Sequence, residues 1–122
     1  MPAYNFQPQF VPMILDGSKR QTIRRRRKHP TKAGDILQLY TGQRTKKCEL
    51  IATRLCTAIK PVQINPAWVI MKLDGRVLSS TEEIAFARLD GFRNAYEFYA
   101  FFERYSEEIL KNELEVIYWR TP

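Results

Sequence analysis

The spacing of the apolar residues changes near Ser80. Ahead of it, branched and aromatic residues come in short runs bounded by turn residues; beyond it they recur at the three- and four-residue intervals of a helix face. A chain that is strand-like first and helical later is expected to fold as α+β, with helices packed on a curled sheet.

Local signals fill in that outline. Phe10 to Leu15 suits a short helix, with Pro12 tolerated in its first turn and Gly17 ending it. Arg20 to Arg24 then suits the start of a strand, and Lys28 to Asp35 is turn chemistry around Pro30 and Gly34. Ile36 to Tyr40 reads as a strand, and Lys47 to Ile59 as a longer one running back against it with Cys48, Leu50, Ala52 and Cys56 on one face. Trp68 to Leu73 and Arg76 to Leu78 flank Asp74-Gly75, the pair that supplies the positive φ angles of a tight hairpin.

In the helical part, Ser80 with Glu83 forms a capping-box pattern for a helix reaching Leu89, which Gly91 stops. Asn94 with Glu97 opens a second helix whose Ala95, Phe98, Phe102 and Tyr105 make an aromatic stripe suited to the core. Leu114 to Trp119 reads as a last strand. The economical architecture is a β-barrel or curled sheet of about five or six strands with a short N-terminal helix and two late helices.

A length of 122 residues fits a single domain spanning 1–122 with a core of its own. No stretch approaches the ~18 uninterrupted apolar residues of a membrane span, so no membrane partner is expected. The N-terminal stretch lacks the basic and apolar regions of a secretory signal, and only two cysteines are present. Both points suit a reducing, cytoplasmic setting.

The net charge of +7 is laid down unevenly. Eleven lysines and arginines stand between Lys19 and Lys47 against the single acid Asp35, whereas from Ser80 onward nine acids face five bases. A basic field of this density, centred on Arg24, Arg25, Arg26, Arg27 and Lys28, suits phosphate backbones; a solvated face is the plainer account. Metal and cofactor chemistry find no support, because Cys48 and Cys56 lie eight apart, His29 is the sole histidine, and no glycine-rich phosphate loop occurs.

Gly17-Ser18-Lys19-Arg20-Gln21-Thr22-Ile23-Arg24 resembles the G-x-K-x-x-T-x-R signature of the ASCH domain, a small β-barrel family similar to the PUA domains of RNA-modifying enzymes. Ala33 to Leu37 looks like that family's G-D strand start, Phe86 to Phe92 like its helix end with an acid before Gly-Phe, and Val116 to Trp119 like its last strand. The pieces cover nearly the whole chain in order. The resemblance implies a PUA-like/ASCH β-barrel with a cationic cleft that binds RNA or a modified nucleoside. It further implies an amidohydrolase acting on N4-acetylcytidine-like substrates, with Thr22 as nucleophile, Lys19 as its activator and Asp90 as proton-transfer partner. The acid here is Asp, one methylene shorter than the Glu of the hydrolytic members. Two alternatives stay open: a non-catalytic RNA-binding module, and a ribonuclease using Lys19 in the same cleft.

Elementary electrostatics runs beside the resemblance. Asp90 falls at the C-terminal end of an expected helix, where the dipole disfavours a carboxylate by a few tenths to about 1 kcal/mol, so it needs a cation. Lys19 is a candidate, and a lysine held by a carboxylate among other positive charges exchanges protons near neutral pH. Arg24, with its fixed fork of donors, suits an anion or a carbonyl oxygen. An ordinary ion pair that ties the helix end to the sheet would leave the same trace in the sequence.

Overall fold

In the computed structural model, which describes residues 1–122, the change of period near Ser80 separates a sheet-forming part from a helical part. Strands β1 (Ala3–Phe6), β2 (Gln21–Arg25), β3 (Ile36–Thr41), β4 (Glu49–Asn65), β5 (Ile70–Leu73) and β6 (Arg76–Val77) precede it, with helix α1 (Val11–Asp16) between the first two. Helices α2 (Ser80–Leu89), α3 (Ala95–Phe102) and α4 (Glu107–Asn112) follow, and β7 (Leu114–Arg120) returns to the sheet. The α+β class expected from the sequence is therefore observed.

The 17-residue β4 is the spine. It pairs antiparallel with β3 over its first part, with β7 over its middle, and with β5 at its far end. Pro61 marks the change of partner: it is the last β4 residue paired with β7, and Val62 is the first paired with β5. A proline lacks the N–H that a ladder needs, so a strand can carry one where its pairing switches. Asp74 and Gly75, with φ of 52° and 83°, form the tight turn between β5 and β6.

The expected barrel does not close. Seven strands form one open sheet, in which β1 pairs only with β3, in parallel, and β2 pairs only with β7. Between β1 and β2 the contact is made by side chains. Arg24 Nη2 donates to the Asn5 carbonyl at 2.7 Å and Arg27 Nη2 to the Ala3 carbonyl at 2.6 Å. Their guanidinium carbons lie 4.8 Å from the Phe6 ring centre and 3.9 Å from that of Tyr4. Two arginines thus cover the outward carbonyls of β1, which protects an edge strand without a ladder.

Strand β7 explains where the core sits. Its residues alternate between two apolar clusters, Leu114 and Val116 facing the helices and Ile117 and Trp119 facing β1, β3 and α1. Burial on both faces is what the apolar run Val116 to Trp119 encodes. The aromatic stripe of α3 is core as expected, with Phe98 and Phe102 buried and their rings 4.9 Å apart.

Other expectations need correction. Three helices follow β6 instead of two, because Glu107–Asn112 forms a short one capped by Ser106. The first late helix is capped by Ser79 with Glu82, one residue ahead of the expected Ser80 and Glu83, since consecutive serines each have a glutamate three residues on. The long strand starts at Glu49 and runs past Ile59 to Asn65. Of the residues expected to share one face only Cys56 is buried: Cys48 precedes the strand and is exposed, and Leu50 is exposed where a register shift at Leu39/Tyr40 interrupts the pairing near the strand start. No helix is long and apolar enough to cross a membrane.

Candidate functional site

The chain leaves α1 through Gly17 and turns before β2 begins, with Lys19 N–H donating to the Met13 carbonyl at 3.0 Å. Lys19 therefore stands in an irregular segment ahead of the strand, and the alternation of a strand does not separate it from Thr22. One residue later the backbone is clamped from two sides. Arg20 N–H donates to the Leu89 carbonyl at the end of α2, and Trp119 N–H of β7 donates to the Arg20 carbonyl.

That clamp brings the C-terminus of α2 against Lys19. Asp90 is the cap residue of α2, and Gly91 with φ of 100° follows it. Gly91 and Phe92 donate back to the carbonyls of Arg88 and Ala87, the paired bonds of a Schellman ending. A β-carbon at position 91 would stand 2.8 Å from the Phe10 ring and 3.2 Å from Lys19 Cδ. Glycine is thus required twice over, for its backbone conformation and for the approach of the lysine stem.

Lys19, Thr22 and Arg24 from one six-residue stretch and Asp90 from the end of α2 line one cleft of about 270 Å³. Lys19, Thr22 and Asp90 are almost wholly buried, at 2%, 4% and 4% exposure. The Lys19 ammonium donates to the main-chain carbonyls of Gln21 at 2.8 Å and Asp90 at 2.5 Å, and lies 4.0 Å from Asp90 Oδ1. Rings of Phe6, Phe10 and Trp119 surround it at 5.5, 4.9 and 6.0 Å, a partial aromatic cage. Thr22 Oγ1 accepts from Arg24 Nε at 3.1 Å. No hydrogen bond joins Lys19 to Thr22.

Burial governs the charges. It lowers the Lys19 ammonium to about 8, against a smaller upward pull from Asp90. It also raises the Asp90 carboxyl above its ordinary value, with Lys19 and the Gln21 amide only partly offsetting it. Both partners are pushed toward their neutral forms, as expected for an ion pair taken out of water. Gln21 Nε2 donates to Asp90 Oδ1 at 3.2 Å, while its buried Oε1 has no partner.

The arginine run divides. Arg24 belongs to the cleft and, with Arg27, clasps β1. Arg25 forms a 3.0 Å ion pair with Glu113 between exposed side chains, an arrangement that contributes little to stability. The Arg26 and Lys28 side chains make no hydrogen bond or ion pair, and both lie outside the cleft, on a shallow surface shared with Arg25, Arg27 and Glu113. The expected set of five cationic ligand-binding residues thus occupies two different places.

Sequence reasoning missed part of the wall. Gln21 reaches Asp90, and Phe101, Arg104 and Tyr105 line the cleft from the end of α3 and the turn after it. The aromatic stripe marked the helix as packed, but no local signal showed that its C-terminal end faces β2. Comparison with protein-family models, with curated proteins and with solved structures finds no match for the chain.

Proposed function

We propose that this chain is an ASCH-like protein of PUA-like fold that binds RNA or a modified nucleoside in the cleft and hydrolyses the amide of an N4-acylcytidine. The observation that carries this reading is the convergence of the buried Lys19, Thr22 and Asp90 and the half-buried Arg24, up to 71 positions apart in sequence, on one small cleft. Buried polar groups gathered at a concavity, with shifted proton affinities, are a recurring trait of functional sites.

The chemistry follows from the contacts. Because Thr22 Oγ1 accepts from Arg24 Nε, the hydroxyl hydrogen is left to be given away. Lys19, with its affinity lowered to about 8, supplies a neutral amine in useful amount near neutral pH, and on turning from its carbonyl partners it takes that hydrogen. The Thr22 oxygen bonds to the acyl carbon, and as the resulting oxyanion re-forms its carbonyl the bond from carbon to N4 breaks. A protonated Asp90, favoured by its burial, gives the departing N4 its hydrogen. Water, giving a proton to the Asp90 carboxylate, then attacks the Thr22 ester; Lys19 returns its proton to the Thr22 oxygen, and the acid leaves with both groups restored.

A second reading has its own observation. Lys19 is held by two carbonyls and makes no hydrogen bond to Thr22, an arrangement that also suits a non-catalytic cleft that only recognises a base. Incubation with N4-acetylcytidine and, separately, with labelled single-stranded RNA, both followed by chromatography, distinguishes the two. Release of cytidine supports hydrolysis; intact nucleoside together with bound, uncleaved RNA replaces it with the binding module; shortened RNA points to a ribonuclease.

A further inference from the structure

The cleft holds more positive charge than its acid balances. Lys19, Arg24 and Arg104 line it against Asp90 alone, and burial favours the uncharged form of that one carboxyl. Arg24 uses Nε on Thr22 and Nη2 on the Asn5 carbonyl, which leaves Nη1 without a protein partner. Arg104 is anchored in a similar way: Nε donates to the Phe101 carbonyl at 3.0 Å, the guanidinium carbon lies 3.9 Å from the Phe101 ring centre, and neither Nη has a partner.

Two guanidinium groups are therefore held in place before any ligand arrives, Arg24 by two hydrogen bonds and Arg104 by one hydrogen bond and a ring contact, with donors to spare. Such preorganisation removes part of the ordering cost of binding. Guanidinium forks match phosphate oxygens in pairs. The volume of about 270 Å³ lies near the lower end of small-molecule sites, which run from about 300 to 1,000 Å³, and suits a single nucleotide unit.

We propose that Arg24 and Arg104 form a phosphate subsite beside the Lys19–Thr22–Asp90 group, so that the ligand is a phosphorylated nucleotide unit in preference to an unmodified nucleoside. The proposal rests on the reading that a nucleoside base enters the cleft, but not on hydrolysis. The phosphate is the terminal monoester of a nucleotide or an internal diester of RNA; the chemistry of recognition is shared.

Calorimetric titration of the full chain with cytidine, cytidine 5′-monophosphate and the dinucleotide CpC tests it. The monophosphate should bind about tenfold or more tighter than cytidine. A matching gain for CpC assigns the subsite to internal RNA phosphates, and a gain confined to the monophosphate assigns it to a terminal one. Arg104 is exposed, so Arg104→Ala should fold, as checked by its thermal melt; it should bring the affinity for the monophosphate down to that for cytidine, with Arg104→Lys keeping part of the gain. Equal affinities in the parent, a gain that survives Arg104→Ala, or no binding by any of the three would overturn the proposal. Absence of N4-acetylcytidine turnover alone would count against hydrolysis and leave the phosphate comparison standing.

Discussion

The Lys19 ammonium sits 4.0 Å from the Asp90 carboxylate but gives its hydrogen bonds to main-chain carbonyls, one of them that of Asp90 itself. The pair is thus an ion pair without a direct hydrogen bond, in which either partner can change its proton without breaking a side-chain bond to the other. If Lys19 acts as the base while a protonated Asp90 acts as the acid, turnover of N4-acetylcytidine should follow a bell-shaped pH profile with one limb near 8, where the Lys19 ammonium loses its proton. A rate profile flat from pH 7 to 9 would remove Lys19 from that role.

The same shift makes folding depend on pH. Lys19 binds its proton with an affinity near 8 in the fold against 10.5 for an ordinary lysine. Between those values the unfolded chain carries the extra proton, so this group makes stability rise with pH across that window and adds no slope below about 8. Urea unfolding at pH 8 and pH 10 should show a smaller pH slope in Lys19→Met than in the parent.

Thr22 separates hydrolysis from binding. Thr22→Val, nearly isosteric but lacking the hydroxyl, should abolish release of cytidine from N4-acetylcytidine, whereas Thr22→Ser should retain some. Asp90→Asn should lower the rate by about a hundredfold or more, as typical for loss of a general acid. A Thr22→Val protein as fast as the parent would show that another group attacks the amide.

On the outer surface, Arg26 and Lys28 are the members of the basic run whose side chains have no hydrogen-bond or ion-pair partner. If both contact phosphates of single-stranded RNA, replacing the two with Ala should reduce the slope of log affinity against log salt by about 1.4. An unchanged slope would make them a solvated face. Arg27→Ala should act differently, loosening β1 by removing its contacts to Ala3 and Tyr4.

Phe102 is 3% exposed and touches the rings of Phe98, Phe101 and Tyr105. Phe102→Ala should cost about 3 to 5 kcal/mol in chemical denaturation. A midpoint equal to that of the parent would contradict its place in the core.

What the sequence revealed followed from local chemistry. Ile36 to Tyr40, the Asp74-Gly75 turn and the α3 stripe each carry their structural cause within a few residues, and each was legible. Strand β1 was not, because a four-residue run interrupted by Asn5 becomes a strand only by pairing with β3, some 35 positions away. The continuation of β4 through Pro61 was hidden for a similar reason: its new partner, β5, rescues a position that local rules reject. Lys19, Thr22 and Asp90 could be picked out by the resemblance to the G-x-K-x-x-T-x-R signature and its helix end, with which the electrostatics of Asp90 at a helix end agrees. Gln21 and Arg104 could not, since their relevance exists only once α2 and α3 have been set against β2.

Strand β7 imposes an order of events on folding. It is the sole ladder partner of β2 and contributes side chains to both apolar clusters, so neither cluster is complete, and the segment carrying Lys19 and Thr22 has no strand to lie on, until residues 114–120 are in place. Strands β1, β3, β4, β5 and β6 have ladder partners made before that point, whereas β2 has none until residues 114–120 are made. Binding competence would then arise abruptly, with the last ladder to form, and the basic run would be available to polyanions well before the cleft beside it exists.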